Sequence, residues 1–313
     1  MNTPTRRDWL LGTAAIAGAA TMTLPTSTNA APDDKEPFGY CLNTSTIRGQ
    51  NIRIDKEAEI AAKAGYTGFE PWIRELDEFV KQGGSLKDLG KKIADLGLQV
   101  PSAIGFAEWI VADDAKRKKG LETAQRDMEA LLTIGGKRLA APPVGATNEK
   151  LGDLNAIADR YRALAELGKK AGIVPEVELW GFSKTLSRLG EVVFVAMESA
   201  HPDACILPDI YHLYKGGSDF DGIRLLAGKS IGIFHMNDYP SSLSREKIND
   251  ADRVYPGDGD GPLKSTLRLL RDIGSKGMLS LELFNREYWK QDAMLVAKTG
   301  LEKMKAVVKA SLA

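Results

Sequence analysis

The sequence predicts one α/β domain of the (β/α)8 TIM barrel type over residues 38–313. Short apolar runs alternate with longer amphipathic runs, eight of each, along this whole range. The range also has the size that a single barrel of this type needs, roughly 250 residues. Glycine follows most of the amphipathic runs, and this is the expected end of a helix because glycine adopts left-handed dihedrals without strain.

The predicted strands are the short apolar runs, and the predicted helices are the amphipathic runs that follow them. The strands cover residues 38–47, 67–72, 98–104, 138–144, 173–179, 205–210, 231–235 and 278–284. The helices cover residues 56–64, 86–96, 116–134, 156–171, 184–200, 220–226, 263–273 and 292–311. Each strand is followed by a helix, which predicts parallel strands whose carboxyl ends meet on one face of the barrel.

The first thirty residues have the composition of an export signal. The pair Arg6-Arg7 precedes an uncharged run at 10–24 and the small residues 28–30, which together are the parts of a secretory signal. The uncharged run is shorter than the ~20 residues of a membrane span, so no stable membrane anchor is expected. The paired arginines resemble a twin-arginine signal, which predicts export to the periplasm; an ordinary signal or a short anchor is the alternative. Residues 31–37 are expected to form a flexible arm.

Composition excludes several classes of function. The 42 basic residues balance the 42 acidic ones, so bulk charge gives no reason to expect nucleic acid as a partner. The one basic cluster, residues 116–119, falls on a predicted helix and is interpreted as a solvated face. Cys41 and Cys205 lie in predicted strands far apart in order, which predicts buried free thiols rather than a disulfide framework.

Ionisable side chains occur near the ends of four consecutive predicted strands. Glu178, Asp209, His235 and Glu282 belong to the fifth, sixth, seventh and eighth strands. In a barrel these side chains converge, and three converging carboxylates repel one another. A carboxylate left unpaired in an apolar strand also costs several kcal/mol. A divalent cation would remove both costs, so the pattern predicts a metal site.

Three carboxylates and one imidazole favour Mn²⁺, Mg²⁺ or Co²⁺, and Zn²⁺ is also acceptable. Each residue has an ordinary alternative, such as a buried ion pair, a loop cap or a core histidine, but their coincidence on four adjacent strands favours a metal. Glu176 shares a strand face with Glu178, and Glu178 is preferred because it is nearer the strand's end. Glu70 ends the second strand, where it can support a ligand, contact substrate or pair with a buried cation.

Four short motifs and the eighth strand resemble the xylose isomerase-like TIM barrel superfamily. The motifs are Glu178-Leu-Trp-Gly, Asp209-Ile-Tyr-His212, His235-Met-Asn-Asp238 and Pro256-Gly-Asp-Gly, followed by Leu281-Glu282-Leu. Their order on the fifth to eighth strands is specific for the superfamily. Within it the chain is most similar to the sugar phosphate isomerase/epimerase family, which includes ketose 3-epimerases and hydroxypyruvate isomerases. The resemblance covers most of residues 38–310.

The resemblance implies both a set of ligands and a reaction. The implied metal ligands are Glu178, Asp209, His235 and Glu282. The residues expected to contact substrate are Glu70, Trp180, His212 and Asp238. Glu178 and Glu282 would also be an acid/base pair, and His212 would hydrogen-bond a substrate oxygen. The implied enzyme is a metal-dependent sugar or keto-sugar isomerase or epimerase, in which a carboxylate removes a proton and the cation holds the resulting enediolate.

The chain departs from the ketose 3-epimerases at two places. Those enzymes usually have another Glu shortly after the fifth-strand ligand, where this chain has Lys184. They also have an Arg soon after the seventh-strand His, where this chain has Tyr239-Pro-Ser-Ser and its nearest arginine is Arg245. The contacts with substrate should therefore differ. Aromatic residues at or after strand ends suit either a sugar ring or core packing: Trp72, Phe106, Trp109, Trp180 and Phe182.

Three other functions are alternatives for the same fold. The DNA-repair endonuclease branch needs a histidine-rich metal cluster and a basic face, and this chain has only three histidines. A lyase or hydrolase of 3-keto-glycosides would use the same metal and base, and export favours it because free sugar phosphates are cytoplasmic. A non-catalytic carbohydrate-binding barrel is the third. The expected partner is a small-molecule sugar, and a homo-oligomer is compatible with the sequence.

Overall fold

Eight parallel strands form a closed barrel in the computed structural model, which describes residues 37–313. The strands are β1 (Tyr40–Asn43), β2 (Gly68–Glu70), β3 (Ala103–Ile104), β4 (Arg138–Ala141), β5 (Val174–Glu178), β6 (Cys205–Leu207), β7 (Ile233–Met236) and β8 (Met278–Leu281). They form two parallel ladders in the orders β2-β1-β8-β7 and β3-β4-β5-β6. Single parallel bridges join the ladders into a ring, Trp72 to Ile104 on one side and Asp209 to His235 on the other. The (β/α)8 prediction is confirmed.

Helices lie between successive strands along the chain. They are α1 (Ile54–Ala64), α2 (Ile73–Lys81), α3 (Leu86–Asp95), α4 (Asp114–Thr133), α5 (Leu154–Ala171), α6 (Leu189–Glu198), α7 (Ile210–Gly216), α8 (Leu263–Asp272) and α9 (Ala293–Leu312). Asp113, Asp153 and Asp292 accept hydrogen bonds from the first turns of α4, α5 and α9, which satisfies backbone N–H groups that have no partner inside the helix. Gly65 and Gly172 end α1 and α5 with positive φ, as expected from the sequence.

Two short helices were not predicted from the sequence, and one predicted α-helix is a 3-10 segment in the structure. α2 and α7 have nine and seven residues, too few for a clear helical period. α7 begins where the side chain of Asp209 accepts the backbone N–H of His212, a tertiary feature of the strand end. The helix predicted over residues 220–226 is instead a 3-10 segment, Phe220–Leu225. The first predicted strand is shorter than expected, because a 3-10 segment occupies Thr44–Gln50.

Three further expectations concern the ends of the chain, the thiols and the membrane. The export signal and nearly all of the flexible arm lie outside the described residues, so they stay predictions. Cys41 and Cys205 are buried and not paired, as the sequence predicts. No helix within residues 37–313 combines the length and the apolar character needed to cross a bilayer.

A long loop between β7 and α8 returns over the carboxyl ends of the strands and is anchored by Asp238. The Asp238 carboxylate accepts backbone N–H groups from Gly257 at 2.9 Å, Gly259 at 3.2 Å and Gly261 at 2.8 Å. It also accepts the N–H of Tyr239 at 2.8 Å. A Cβ on Gly259 would come within 2.6 Å of an Asp238 oxygen, so the close approach requires glycine there. The glycine-rich motif is therefore a cradle for a carboxylate of the same chain.

Asp238→Ala should destabilise the fold by about 3 kcal/mol, because it leaves several backbone N–H groups of the loop without an acceptor. The free energy of unfolding in urea measures this loss. Asp260→Ala is the matched control, since Asp260 is an exposed carboxylate of the same loop that bonds only to Ser241. We expect a loss of less than about 1 kcal/mol for the control. Equal, small losses in both variants would contradict the anchoring role.

Candidate metal centre and substrate cavity

Three of the four predicted ligands meet at the carboxyl ends of β6, β7 and β8. Asp209, His235 and Glu282 each offer one ligand atom, these atoms all lie within 4.8 Å of one another, and all three residues are buried. His235 Nδ1 lies 3.2 Å from Glu282 Oε2 and 3.8 Å from Asp209 Oδ2. One imidazole nitrogen and two carboxylate oxygens at this spacing form a donor set that fits a divalent cation.

Glu70 lies behind His235 and fixes the orientation of its ring. His235 Nε2 is 3.1 Å from Glu70 Oε2, and a carboxylate in this position accepts the N–H of the ring. Asn43 and Ser280 donate to the same Glu70 oxygen at 2.8 and 2.6 Å. With Nε2 occupied, Nδ1 is the ring atom that faces Asp209 and Glu282. Carboxylates that hold a histidine in this way are a regular feature of protein metal sites.

Glu178, the fourth predicted ligand, lies outside the 4.8 Å group. It lines a cavity that Glu282 also lines. Its Oε1 accepts the indole N–H of Trp180 at 3.0 Å, while its buried Oε2 has no hydrogen-bond partner. Burial raises the pKa of Glu178 to about 8, with His235 opposing the rise and Glu282 adding to it. A buried carboxyl group with a raised pKa and one oxygen without a hydrogen-bond partner is suited to proton transfer.

Glu282 has the opposite electrostatic environment. Burial alone would raise its pKa, but His235 and Arg253 lower the pKa of Glu282 to about 2. Arg253 donates from Nη1 to Glu282 Oε2 at 3.0 Å, and Asn43 donates to Glu282 Oε1 at 3.3 Å. Glu282 is therefore a permanent carboxylate near neutral pH, as a metal ligand should be.

Arg253 is a site residue that the sequence reasoning missed. Its guanidinium is buried, and Nη1 donates to Asp209 Oδ2 at 2.9 Å as well as to Glu282. Nη2 donates to Asp250 Oδ1 at 2.6 Å. Burial lowers the pKa of this guanidinium, but the surrounding carboxylates raise it above its usual value. The arginine nearest to His235 in sequence, Arg245, instead lies over the ring of Tyr214.

The missed arginine lies in the middle of the long β7–α8 loop, where no periodic pattern indicates which way a side chain points. The only local signal is the motif Asp250-Ala-Asp-Arg253, an arginine close to two acidic residues. The Arg253 carbonyl accepts a hydrogen bond from Asn285 at 2.9 Å, and this contact holds the loop against the end of β8.

His212 also lines this cavity, and its ring is neutral. Burial lowers the pKa of His212 to about 3, with Asp209 opposing the effect and Arg253 adding to it. His212 Nε2 is 3.1 Å from Arg253 Nη2, and because a guanidinium can only donate, Nε2 must accept. The ring proton is then on Nδ1, which is buried without a hydrogen-bond partner. His212 Nδ1 is thus a free donor next to the cavity.

A cavity of about 190 Å³ is lined by Glu282 of the cluster together with Glu178, His212 and Arg253, and aromatic rings form much of its wall. The aromatic lining residues are Trp72, Phe106, Trp180, Phe182 and Phe284. Trp180 and Phe182 are stacked, with ring centroids 5.1 Å apart. Trp109 is different, because it is buried in the core and its indole donates to the Pro142 carbonyl. Phe284 was not among the aromatic residues predicted from the sequence.

Asp238 was expected to contact substrate, but the structure places its side chain away from the cavity. Its carboxylate is occupied by the backbone N–H groups described above, and it does not line the cavity. Trp180, His212 and Glu282 do line it. Glu70 does not line it, and its carboxylate instead bonds to His235 and Asn43 inside the barrel. Glu176, the alternative to Glu178, lies deeper in the barrel, 3.5 Å from Arg138 Nε.

Comparison with known proteins gives related sequences and folds. The family model for xylose isomerase-like TIM barrels matches residues 58–307. An inosose isomerase of Bacillus velezensis is 25% identical over 277 residues, which cover 86% of this chain and 96% of that protein. A 3-dehydroshikimate dehydratase of Pseudomonas putida is 24% identical over 233 residues, which cover 74% of this chain and 36% of that protein.

Solved structures share the fold of this chain. A crystal structure of an IolI protein with a bound zinc atom superposes with a TM-score of 0.80 at 23% identity. The superposition covers 87% of this chain and 99% of that one. The likeness establishes a common barrel architecture.

Glu70→Gln should weaken the binding of a divalent cation by about 10- to 100-fold, because the ring of His235 loses its charged acceptor. Calorimetric titration with Zn²⁺ or Mn²⁺ measures the affinity. Glu176→Gln is the matched control, since Glu176 is an equally buried barrel carboxyl that does not contact His235. An equal loss of affinity in both variants would argue for a general effect on the barrel rather than support of His235.

Cation binding should strengthen as pH rises through neutrality. Burial lowers the pKa of His235, but Glu282 and Glu70 raise it well above its usual value, so the cation-free ring holds a proton on Nδ1. The cation must displace this proton, and its affinity should therefore rise by about tenfold per pH unit until that pKa is reached. Calorimetry in buffers of different ionisation enthalpy, between roughly pH 6 and 8, counts the released proton. Affinity that is independent of pH would contradict this assignment.

Proposed function

We propose that this chain, which belongs to the xylose isomerase-like TIM barrel family, is a divalent-metal-dependent isomerase or epimerase of a keto sugar or related polyhydroxy ketone. The observation that carries the proposal is the cluster of Asp209, His235 and Glu282 together with Glu178, whose Oε2 has no hydrogen-bond partner and whose pKa is raised. The inosose isomerase similarity over nearly the whole of that protein supports an isomerase rather than a nuclease. The charge balance of the chain also gives no support to a nucleic-acid substrate.

Asp209, His235 and Glu282 would hold the cation. When bound, a divalent cation supplies Lewis acidity that polarises a carbonyl oxygen and stabilises negative charge next to it. Mn²⁺ or Mg²⁺ was expected from three carboxylates and one imidazole. With Glu178 outside the cluster the donor set is one nitrogen and two oxygens, which supports Zn²⁺ or Co²⁺ as well.

Glu178 is proposed to move the proton. Its free Oε2 accepts the proton from the carbon next to the substrate carbonyl, and the indole of Trp180 keeps Oε1 in place. Returning this proton from Glu178 to the former carbonyl carbon, while the hydroxyl proton passes to the former carbonyl oxygen, gives an aldose–ketose isomer. An epimer forms when Glu178 keeps the proton and solvent delivers another one to the opposite face of the same carbon. Glu282 was expected to share this role, but its low pKa and its bonds to Arg253 and Asn43 favour a ligand role.

His212 and Arg253 are proposed to orient the substrate and to stabilise the negative charge that develops on it. His212 presents the N–H of Nδ1 to a substrate oxygen, and Arg253 fixes that tautomer by donating to Nε2. The same guanidinium holds Asp209 and Glu282 at a constant separation. Hydrogen-bond donors fixed before substrate arrives do not have to reorganise when negative charge develops.

The aromatic walls and the small volume are consistent with one sugar-sized ring. A volume of about 190 Å³ leaves room for a monosaccharide or a cyclic polyol. Ring faces such as those of Trp180 and Phe182 pack against the C–H surfaces of a sugar and exclude water from the reacting carbon. Export, inferred from residues 1–30, remains a prediction and would give the enzyme access to sugars outside the cytoplasm.

The proposal predicts solvent-deuterium exchange into a substrate. The metal-loaded protein in D₂O should introduce deuterium at the carbon next to the carbonyl of at least one member of a panel of keto sugars and keto-inositols, followed by NMR. Glu178→Gln should slow the exchange by about 10²- to 10⁴-fold, because the amide cannot accept the proton. Glu176→Gln, a buried carboxyl two residues away on the same strand, should exchange at nearly the normal rate. No exchange with any member by the metal-loaded protein would defeat the proposal.

A lyase is the second candidate, and the similarity to 3-dehydroshikimate dehydratase favours it. The first step is the same removal of a proton by Glu178. The electron pair then expels a group from the next carbon, giving an unsaturated ketone and the released hydroxide or alkoxide, which takes up a proton. The unsaturated product absorbs in the ultraviolet. Formation of this absorbance from a 3-keto-glycoside or a keto-polyol would assign the chain to lyases, whereas exchange without loss of a group supports the isomerase.

A further inference from the structure

A second and larger cavity lies at the opposite end of the barrel from the candidate metal centre. It has a volume of about 590 Å³. Its lining comes from residues 98–101 before β3, residues 137–138 at the start of β4, Gly232 before β7 and Lys276 before β8, and α3 and α4 complete the wall. These positions are the amino ends of the strands, so the cavity is independent of the site proposed above. Its volume is in the range of cavities that bind small organic molecules.

Positive charge dominates the lining. Three of the lining side chains are cationic, Lys137, Arg138 and Lys276, and none is acidic. Lys137 and Lys276 form no ion pair with any residue of the described part of the chain. Arg138 has Glu176 near it, at 3.5 Å, but its buried Nε makes no hydrogen bond. Lys137 and Lys276 are exposed, so their charges are accessible to an anion that enters the cavity.

Gly232 allows the Arg138 side chain to occupy this position. A Cβ on Gly232 would lie 2.0 Å from Arg138 Nε and 2.5 Å from Glu176 Oε1. Any other residue at 232 would displace the guanidinium from the floor of the cavity. Arg138 is thus held at the boundary between the barrel interior and the cavity, with its charge directed to both.

The rest of the wall is apolar. The apolar lining residues with larger side chains are Ile93, Leu98, Val100, Pro101, Leu132, Ile134 and Met278. Ile93, Leu98 and Val100 are buried, so the wall is continuous with the core. Gly90 lets α3 and α4 approach closely, since a Cβ there would come within 2.8 Å of the Ile134 backbone. The apolar wall can pack against the hydrocarbon part of a ligand, and the cationic side chains can bind its anionic group.

We propose that this cavity binds a small organic anion, with a phosphate or carboxylate group at Lys137, Arg138 and Lys276 and an apolar body against the wall formed by α3 and α4. A carboxylate or phosphate forms charge-assisted hydrogen bonds with lysine and arginine. Inorganic phosphate alone would leave the apolar wall exposed, so it binds more weakly than an anion with a ring or a chain. A neutral apolar compound leaves the three charges without a partner and also binds weakly.

The test uses the full-length protein and the fluorescent probe 8-anilinonaphthalene-1-sulfonate, an aromatic anion. The unmodified protein should bind the probe with increased fluorescence. Phenyl phosphate and phenylacetate, tested separately, should displace it, and their relative potency distinguishes a phosphate ligand from a carboxylate. Benzyl alcohol and inorganic phosphate should displace it poorly. The double variant Lys137→Gln/Lys276→Gln should weaken probe binding by about tenfold.

Two further variants show where the probe binds. Lys118→Gln/Lys309→Gln is the matched control, because it removes two exposed lysines elsewhere that form no ion pair among the described residues. Ala94→Trp places a large ring into the cavity from an exposed position on α3 and should also weaken binding by about tenfold. Equal probe affinity in the lysine variant and in its control, or binding that Ala94→Trp leaves unchanged, would overturn the proposal.

Discussion

The site depends on how the fold stabilises two carboxylates that are buried side by side. Asp209 and Glu282 come from different strands, and the closed ring of parallel strands brings them together. Without a positive partner, burial and mutual repulsion would make this arrangement costly. The guanidinium of Arg253 donates to both carboxylates, and the imidazole of His235 lies between them. Orientation of the other groups in the cavity follows from this cluster, including the tautomer of His212.

The two glutamates of the cavity show how the same side chain acquires different properties. Glu282 is next to Arg253 and His235, so it is ionised, whereas Glu178 accepts a hydrogen bond from the indole of Trp180 and burial raises its pKa to about 8. The resemblance to known enzymes gave both residues the same pair of roles. The geometry favours dividing those roles, with Glu282 among the ligands and Glu178 as the group that carries a proton.

The sequence predicted the barrel and the convergence of three candidate ligands because those features depend on periodicity and on strand order. Asp209, His235 and Glu282 follow apolar runs, and in a parallel barrel the end of a strand fixes the location of a side chain. Arg253 could not be found in this way, because the path of a long loop is set by tertiary contacts such as the Asn285 hydrogen bond. The family resemblance implied that Asp238 contacts substrate, but backbone amides of a distant glycine-rich segment determine the direction of its side chain.

The anchoring of the β7–α8 loop has a consequence for the divergence of such enzymes. The Asp238 carboxylate accepts hydrogen bonds from main-chain N–H groups, and the glycines that donate them lie after Arg253 in the chain. Residues 241–247 are mostly exposed and lie between Asp238 and these glycines. They can therefore accumulate substitutions or change in length while the barrel and its buried carboxylates are preserved. Changes on this segment therefore avoid the loss of stability that accompanies changes inside the barrel.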